Sequence, residues 1–196
     1  MFNPKESNSE IYNEVIDKEV DSALEGFNTS IMLYGVTGAG KTHTVFGNLG
    51  FRDTNNCVDH ENGIIYYCFK KLMKEISCTI SMSYIEIYNE QVKDLLGVDD
   101  NLMVTESAEG DLVVQGLGVK PIESFDEMVD FIKEGNLRRK MAKTCANQFS
   151  SRSHALLQIH IKKKQGNSIT QSKLTFIDLA GSERVDTTQN KGKFGS

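Results

Sequence analysis

The sequence predicts an α/β fold, on three observations. Apolar runs with strand character interleave with segments whose apolar residues recur at helical spacing. A glycine-rich turn near residue 35 follows one apolar run and precedes a helical segment. A late apolar run, Leu174 to Ile177, closes on an acidic residue, Asp178. Interleaving of this kind builds a sheet with helices packed against it. The chain has 196 residues, 39% of them apolar and 25% charged, which suits one globular domain with a real core.

Taken in order, Ser7-x-x-Glu10 reads as a capping box that opens a helix. Tyr12, Ile16, Val20, Ala23 and Phe27 continue it at helical spacing, and Gly26 is its stop. The run from Ser30 to Tyr34 fits a buried strand, and Lys41 to Thr44 should begin the next helix. Residues 47–63 are rich in Gly, Asn and Asp and read as a surface loop. Ile65, Phe69, Leu72 and Ile76 mark a further helix, and Thr79 to Tyr88 a strand with Ile80, Met82 and Tyr84 on one face. Glu90 to Leu96 is predicted as a short helix, and Asp111 to Lys120 as one or two short strands. A second capping box, Ser124-x-x-Glu127, opens a helix through Phe125, Met128, Val129 and Ile132 that Gly135 is expected to end. Ala155, Leu157, Ile159 and Ile161 alternate as a half-buried strand, with His160 on its polar, solvent-facing side. No internal repeat or linker divides the chain.

No run of eighteen apolar residues exists, and the polar first ten residues lack a signal-peptide core, so a soluble, cytosolic chain without membrane insertion is expected. Four cysteines, Cys57, Cys68, Cys78 and Cys145, lie too far apart for a C-x-x-C pair and read as reduced thiols. A formal charge of −5 argues against nucleic acid as a partner. The basic clusters 138–140 and 162–164 read as solvated surface.

The chemistry concentrates in Gly35-Val36-Thr37-Gly38-Ala39-Gly40-Lys41-Thr42, which matches G-x-x-x-x-G-K-[ST] between a predicted strand and a predicted helix. Glycines let the backbone wrap so that N–H groups face phosphate oxygens, and the helix N-terminus adds positive potential. Lys41 should reach the β- and γ-phosphates, and Thr42 should place its hydroxyl on magnesium. Asp178, at the end of its strand, is where such folds hold magnesium, usually through water.

Three further stretches narrow the reading. Asn147-Gln148-Phe149-Ser150-Ser151-Arg152-Ser153-His154 resembles the first switch of kinesins, and Asp178-Leu179-Ala180-Gly181-Ser182-Glu183 their second. Ser83 to Glu90, followed by Asp94-Leu95-Leu96, is similar to a further signature of that family, and the resemblance runs from about Glu10 to Val185. It implies a P-loop NTPase three-layer sandwich of the kinesin motor type, with P-loop 35–42, first switch 147–154 and second switch 178–183 in one partial motor domain over 1–196.

The resemblance also implies roles. Ser150 and Ser151 would close over the γ-phosphate of ATP, with Ser151 also near Mg²⁺. Arg152 and Glu183 would pair to latch the switches, the Gly181 N–H would sense the γ-phosphate, and His43 would lie against adenine. The implied activity is ATP hydrolysis driving movement along microtubules, in the cytoplasm and on the cytoskeleton. A non-motile, kinesin-derived nucleotide-binding or interaction module is the alternative. The family's Arg-x-Arg-Pro strand and its main tubulin-contacting helices have no counterpart in the sequence, so a truncated sheet with the P-loop strand at its edge is expected. Subfamily, direction of travel, cargo and oligomeric state depend on segments beyond these motifs.

Overall fold

A computed structural model describes residues 6–48, 62–98, 101–108, 110, 112–144 and 153–183. Near the N-terminus, α1 (Asn8–Ile11), a π-helical turn (Tyr12–Ile16) and α2 (Asp17–Leu24) run on from one another. The predicted capping box is present at Ser7 and Glu10. Gly26 follows the helix at φ +105°, a left-handed conformation that glycine adopts freely and that turns the chain into β1 (Thr29–Leu33). Then come α3 (Lys41–Phe46), α4 (Ile64–Leu72), β2 (Cys78–Tyr88), β3 (Gln91–Asp94), β4 (Val104–Glu106), β5 (Leu112–Val114), β6 (Lys120–Ile122), α5 (Phe125–Thr144), β7 (His154–Gln165) and β8 (Ser168–Asp178). Most of the predicted loop 47–63 lies outside the described residues.

The main sheet has the order β1-β8-β7-β2-β3, with β6 also paired to β2, and β4 and β5 form a separate hairpin. β1 and β8 are parallel, and β7 is antiparallel to both β8 and β2. Among the described residues β1 pairs only with β8, so the strand leading into the glycine-rich loop is an edge.

Cross-strand register decides which residues share a face. Met82, Ile159 and Leu174 lie side by side, as do Tyr84, Leu157, Phe176 and Ile31, and then Glu86, Ala155, Asp178 and Leu33. The first two rows belong to one apolar core with Val20, Phe69, Leu72 and Ile132 from the helices. Each fully buried side chain of this kind contributes roughly 1.5–3 kcal/mol. Lys71 of α4 ties two helices together through Asp17 at 2.7 Å and Asp21 at 2.6 Å.

Several expectations need correction, beginning with the buried strand expected from Ser30 to Tyr34, where only Ile31 is buried and Met32 and Tyr34 are exposed. Residues 90–96 are not a helix: β3 pairs back on β2 from Tyr88↔Gln91 onward. Asn89 and Glu90 make the two-residue turn with φ of 48° and 63°, the left-handed pair that a type I′ hairpin requires. Ile76 lies beyond the end of α4 and is fully exposed. Gly135 does not end a helix, because α5 continues to Thr144. It is a close-approach residue instead: a Cβ there would lie 2.4 Å from a ring carbon of Tyr84.

Candidate functional site

The parallel strands β1 and β8 deliver their C-terminal ends side by side, Leu33 opposite Asp178. In open α/β sheets this is where ligands bind. The glycine-rich loop follows β1 and turns into α3 at Gly40, whose φ of +92° favours glycine. Within the loop the Ala39 N–H donates to the Val36 carbonyl at 3.1 Å. The Lys41 ammonium folds back over the loop and donates to the carbonyls of Gly35 (2.8 Å) and Val36 (3.0 Å). Thr37, Gly38, Gly40, Lys41, Thr42 and His43 all line a cleft of about 830 Å³ that also reaches Asp178 and Gly181. The opposite wall is α5, which presents Lys133, Asn136, Leu137 and Lys140.

At the floor of the cleft the Thr42 hydroxyl donates to Asp178 Oδ2 at 2.7 Å, although 136 residues separate the two in sequence. Arg139 donates to the same oxygen at 3.1 Å, to Glu86 Oε1 at 3.2 Å and to the Ser153 carbonyl at 3.3 Å. The Ser153 hydroxyl donates to Glu86 Oε1 at 2.7 Å, which closes the ring. Arg139 is 5% exposed and Asp178 3%. Charges at that depth persist only when paired and hydrogen-bonded, as these are. The group holds one more carboxylate than guanidinium. A carboxylate and a hydroxyl oxygen at the mouth of the glycine-rich loop form a donor set of the type hard divalent cations take.

The second switch segment runs beside the loop. The Leu179 N–H donates to the Leu33 carbonyl at 3.4 Å, and the Ser182 N–H to that of Gly35 at 3.1 Å. The Ala180 N–H donates to His154 Nδ1 at 3.2 Å, joining the last residue of the first switch motif to the second. Glu183 accepts from the Thr37 N–H at 2.8 Å and from the Thr37 hydroxyl. These bonds hold its carboxyl below the usual glutamate value. Its expected partner Arg152, with Ser150 and Ser151, lies outside the described residues.

Sequence reading missed Arg139, Ser153 and the role of Glu86, and it placed Arg139 in a solvated basic cluster. Of its neighbours only Lys140 is exposed, while Arg138 is half-buried and bonds Glu134 one turn away and the Gly97 carbonyl. A signal was available, because Met128, Ile132, Gly135 and Arg139 form one buried stripe along α5. A charge on such a stripe demands an acidic partner. His160, expected at the surface, is half-buried and bonded through Nε2 to Ser83 at 3.0 Å.

A family profile described as the kinesin motor domain matches residues 1–194. Kinesin-like protein 6 of Schizosaccharomyces pombe is 36% identical over 98% of this chain and 27% of its own length. KIF18B of Gallus gallus is 34% identical over 98% of this chain and 24% of its own. KIP3 of Saccharomyces cerevisiae, at 35% identity, gives the same two coverages, 98% and 24%. A solved structure of a fast kinesin is similar with a TM-score of 0.86 at 32% identity, covering 98% of this chain and 56% of that one. The chain thus spans about a quarter of the length of the curated relatives it matches.

Proposed function

Because the chain belongs to the kinesin motor-domain family, we propose that it is the nucleotide-handling part of a microtubule motor, binding ATP with Mg²⁺ and hydrolysing it to ADP and phosphate. The observation that carries this reading is the meeting of Thr42 and Asp178 at 2.7 Å on the floor of the cleft beside the phosphate loop. Residues 35–42 take the phosphates, and Lys41 turns from its own loop carbonyls to the β- and γ-oxygens. Thr42, Asp178 and Ser151 hold the cation, which supplies charge neutralisation to the phosphates when bound. His43, which lines the same cleft, would lie against the adenine.

Phosphoryl transfer asks for positioning and fixed charge more than for a strong base. Ser150 and Ser151 close over the γ-phosphate, with Ser151 in a proton path from the attacking water, the Gly181 N–H meets the γ-phosphate, and Arg152 with Glu183 latches the switches. Arg139 and Glu86 hold Asp178 and Ser153 in place behind them. Microtubules are the partner, reached through the protein that carries this chain, in the cytoplasm and on the cytoskeleton. No described helix is long and apolar enough to cross a membrane.

Calorimetric titration with Mg-ATP tests the site, and steady-state turnover of the full-length protein with and without microtubules tests the motor. Lys41→Ala should weaken nucleotide binding by roughly 100-fold or more and abolish turnover. Unchanged binding in that variant would sink the phosphate-loop assignment. Nucleotide binding without any microtubule-stimulated turnover would favour the non-motile module.

A further inference from the structure

The second switch ends in the phosphate loop itself. Glu183 places one carboxylate oxygen 2.8 Å from the Thr37 N–H and the other on the Thr37 hydroxyl, 146 residues away in sequence. Thr37 sits in the segment whose N–H groups a phosphate would use, and Lys41 lowers the carboxyl's proton affinity further through its charge. The approach depends on Gly181. A Cβ at that position would lie 2.3 Å from the Thr37 hydroxyl and 2.4 Å from both Glu183 carboxylate oxygens, so any larger residue would push the two apart. The Ser182 N–H anchors the same turn to the Gly35 carbonyl.

We propose that the Glu183 carboxylate is a built-in occupant of the phosphate loop, which a nucleotide phosphate must displace in order to bind. Carboxylate and phosphate are both oxyanions drawn to the loop's N–H groups and its positive field, and Glu183 already takes the N–H of Thr37. Two anions cannot share them at contact distance, so occupancy is exclusive. The loop is therefore not empty before nucleotide arrives, and the free protein is held partly in a form that cannot bind. Apparent affinity falls by the fraction of molecules left open. Displacement has a second effect. Once freed from Thr37, Glu183 is available to another partner, and the second switch loses its tether to the loop. Arrival of phosphate is thereby coupled to release of the switch, and the coupling is reciprocal.

This inference rests on residues 35–42 being the phosphate site, and the test separates the two. ADP with Mg²⁺ is titrated calorimetrically into the wild-type chain, Glu183→Ala, Thr37→Val and the double variant. Thr37→Val keeps the backbone N–H for phosphate but removes the hydroxyl that grips the carboxylate. If about nine in ten molecules are self-occupied, Glu183→Ala should bind ADP roughly tenfold more tightly, and Thr37→Val by a smaller factor. The double variant should be no tighter than Glu183→Ala alone, because both act through one contact. Equal or weaker ADP binding in both single variants would overturn the proposal while leaving the phosphate site intact. Absence of ADP binding in every protein would overturn the site and the proposal together. Glu183 and Thr37 both lie at the surface, so the variants should remain folded and lose no more stability than the contact itself contributes.

Discussion

The two faces of the central sheet are built from the same strands and differ in almost everything else. One face carries Met82, Tyr84, Leu157, Ile159, Leu174 and Phe176, all but sealed from solvent beneath the helices. The other carries Ser81, Ser83, Gln158, His160, Lys173 and Met32, with Met32 61% exposed. No described helix packs there. Only a small cluster of Ile85, Val92 and Leu102 closes one corner. At the upper end of the covered face the next row is Glu86, Ala155 and Asp178, so the core gives way within one residue pair to a buried ionic ring. Although the glycine-rich loop in front of it is exposed, the ionic ring is not laid on the surface. It is an extension of the core, and its charges hold their places because apolar rows exclude water beneath them.

That contrast can be broken at the ring. Arg139→Met keeps volume but removes the cation between Glu86 and Asp178, leaving two buried carboxylates facing each other. Breaking a buried pair by removing one partner typically costs about 3–5 kcal/mol. Urea denaturation at pH 7 should show a loss in that range. A loss below about 1 kcal/mol would mean that the ring is hydrated and not part of the core.

One turn earlier on the same stripe, Gly135→Ala tests the packing term alone. Alanine favours helix by about 1 kcal/mol, but its methyl would sit 2.4 Å from the Tyr84 ring. Tyr84 cannot swing aside, being sealed in the core with its hydroxyl donating to Asn136 at 2.8 Å. Overpacking of about 1–3 kcal/mol should outweigh the gain in propensity, so the thermal midpoint falls. A rise would place Gly135 in a looser interface than the covered face implies.

How much of this was legible depended on whether the signal was local. The glycine-rich loop, Asp178 and Gly181 could be singled out because the role proposed for them fixes residue types at fixed spacing. Strand β7 was readable because alternation survives in sequence when one face is buried, whereas of β8 only its apolar end, Leu174 to Ile177, was read. Arg139 was not, since it lies in a run of three basic residues and only a partner 53 residues away, Glu86, reveals its environment. Gly135 carries the same ambiguity: a glycine in a helical pattern signals either an end or a close approach, and only Tyr84 decides. The β2–β3 turn hid for a different reason. Glu90 adopts φ +63°, which glutamate seldom does, so Asn89 without a following glycine was a weak turn signal. Residues 145–152, where three of the predicted site residues fall, lie outside the described structure.

The smallest effect sharpens the comparison from the open face. His160 bonds Ser83 at 3.0 Å and lies beside Lys173 on β8. Partial burial first, and the lysine charge second, lower its pKa from the usual histidine value. The native state therefore favours neutral imidazole, while the unfolded chain takes up a proton at its ordinary value near 6.5. Stability from this group is complete above that value and declines as pH falls through it towards the lower native value. Because the ring is partly solvated, the decline should amount to only a few tenths of a kcal/mol. His160→Gln can keep a hydrogen bond to Ser83 without titrating, so its urea midpoints at pH 7 and pH 5.5 should lie closer together than those of the wild type. A wider gap in the variant would mean that native His160 takes up its proton more readily than the unfolded chain. The open face would then stabilise positive charge, opposite to what Lys173 and burial impose on it here.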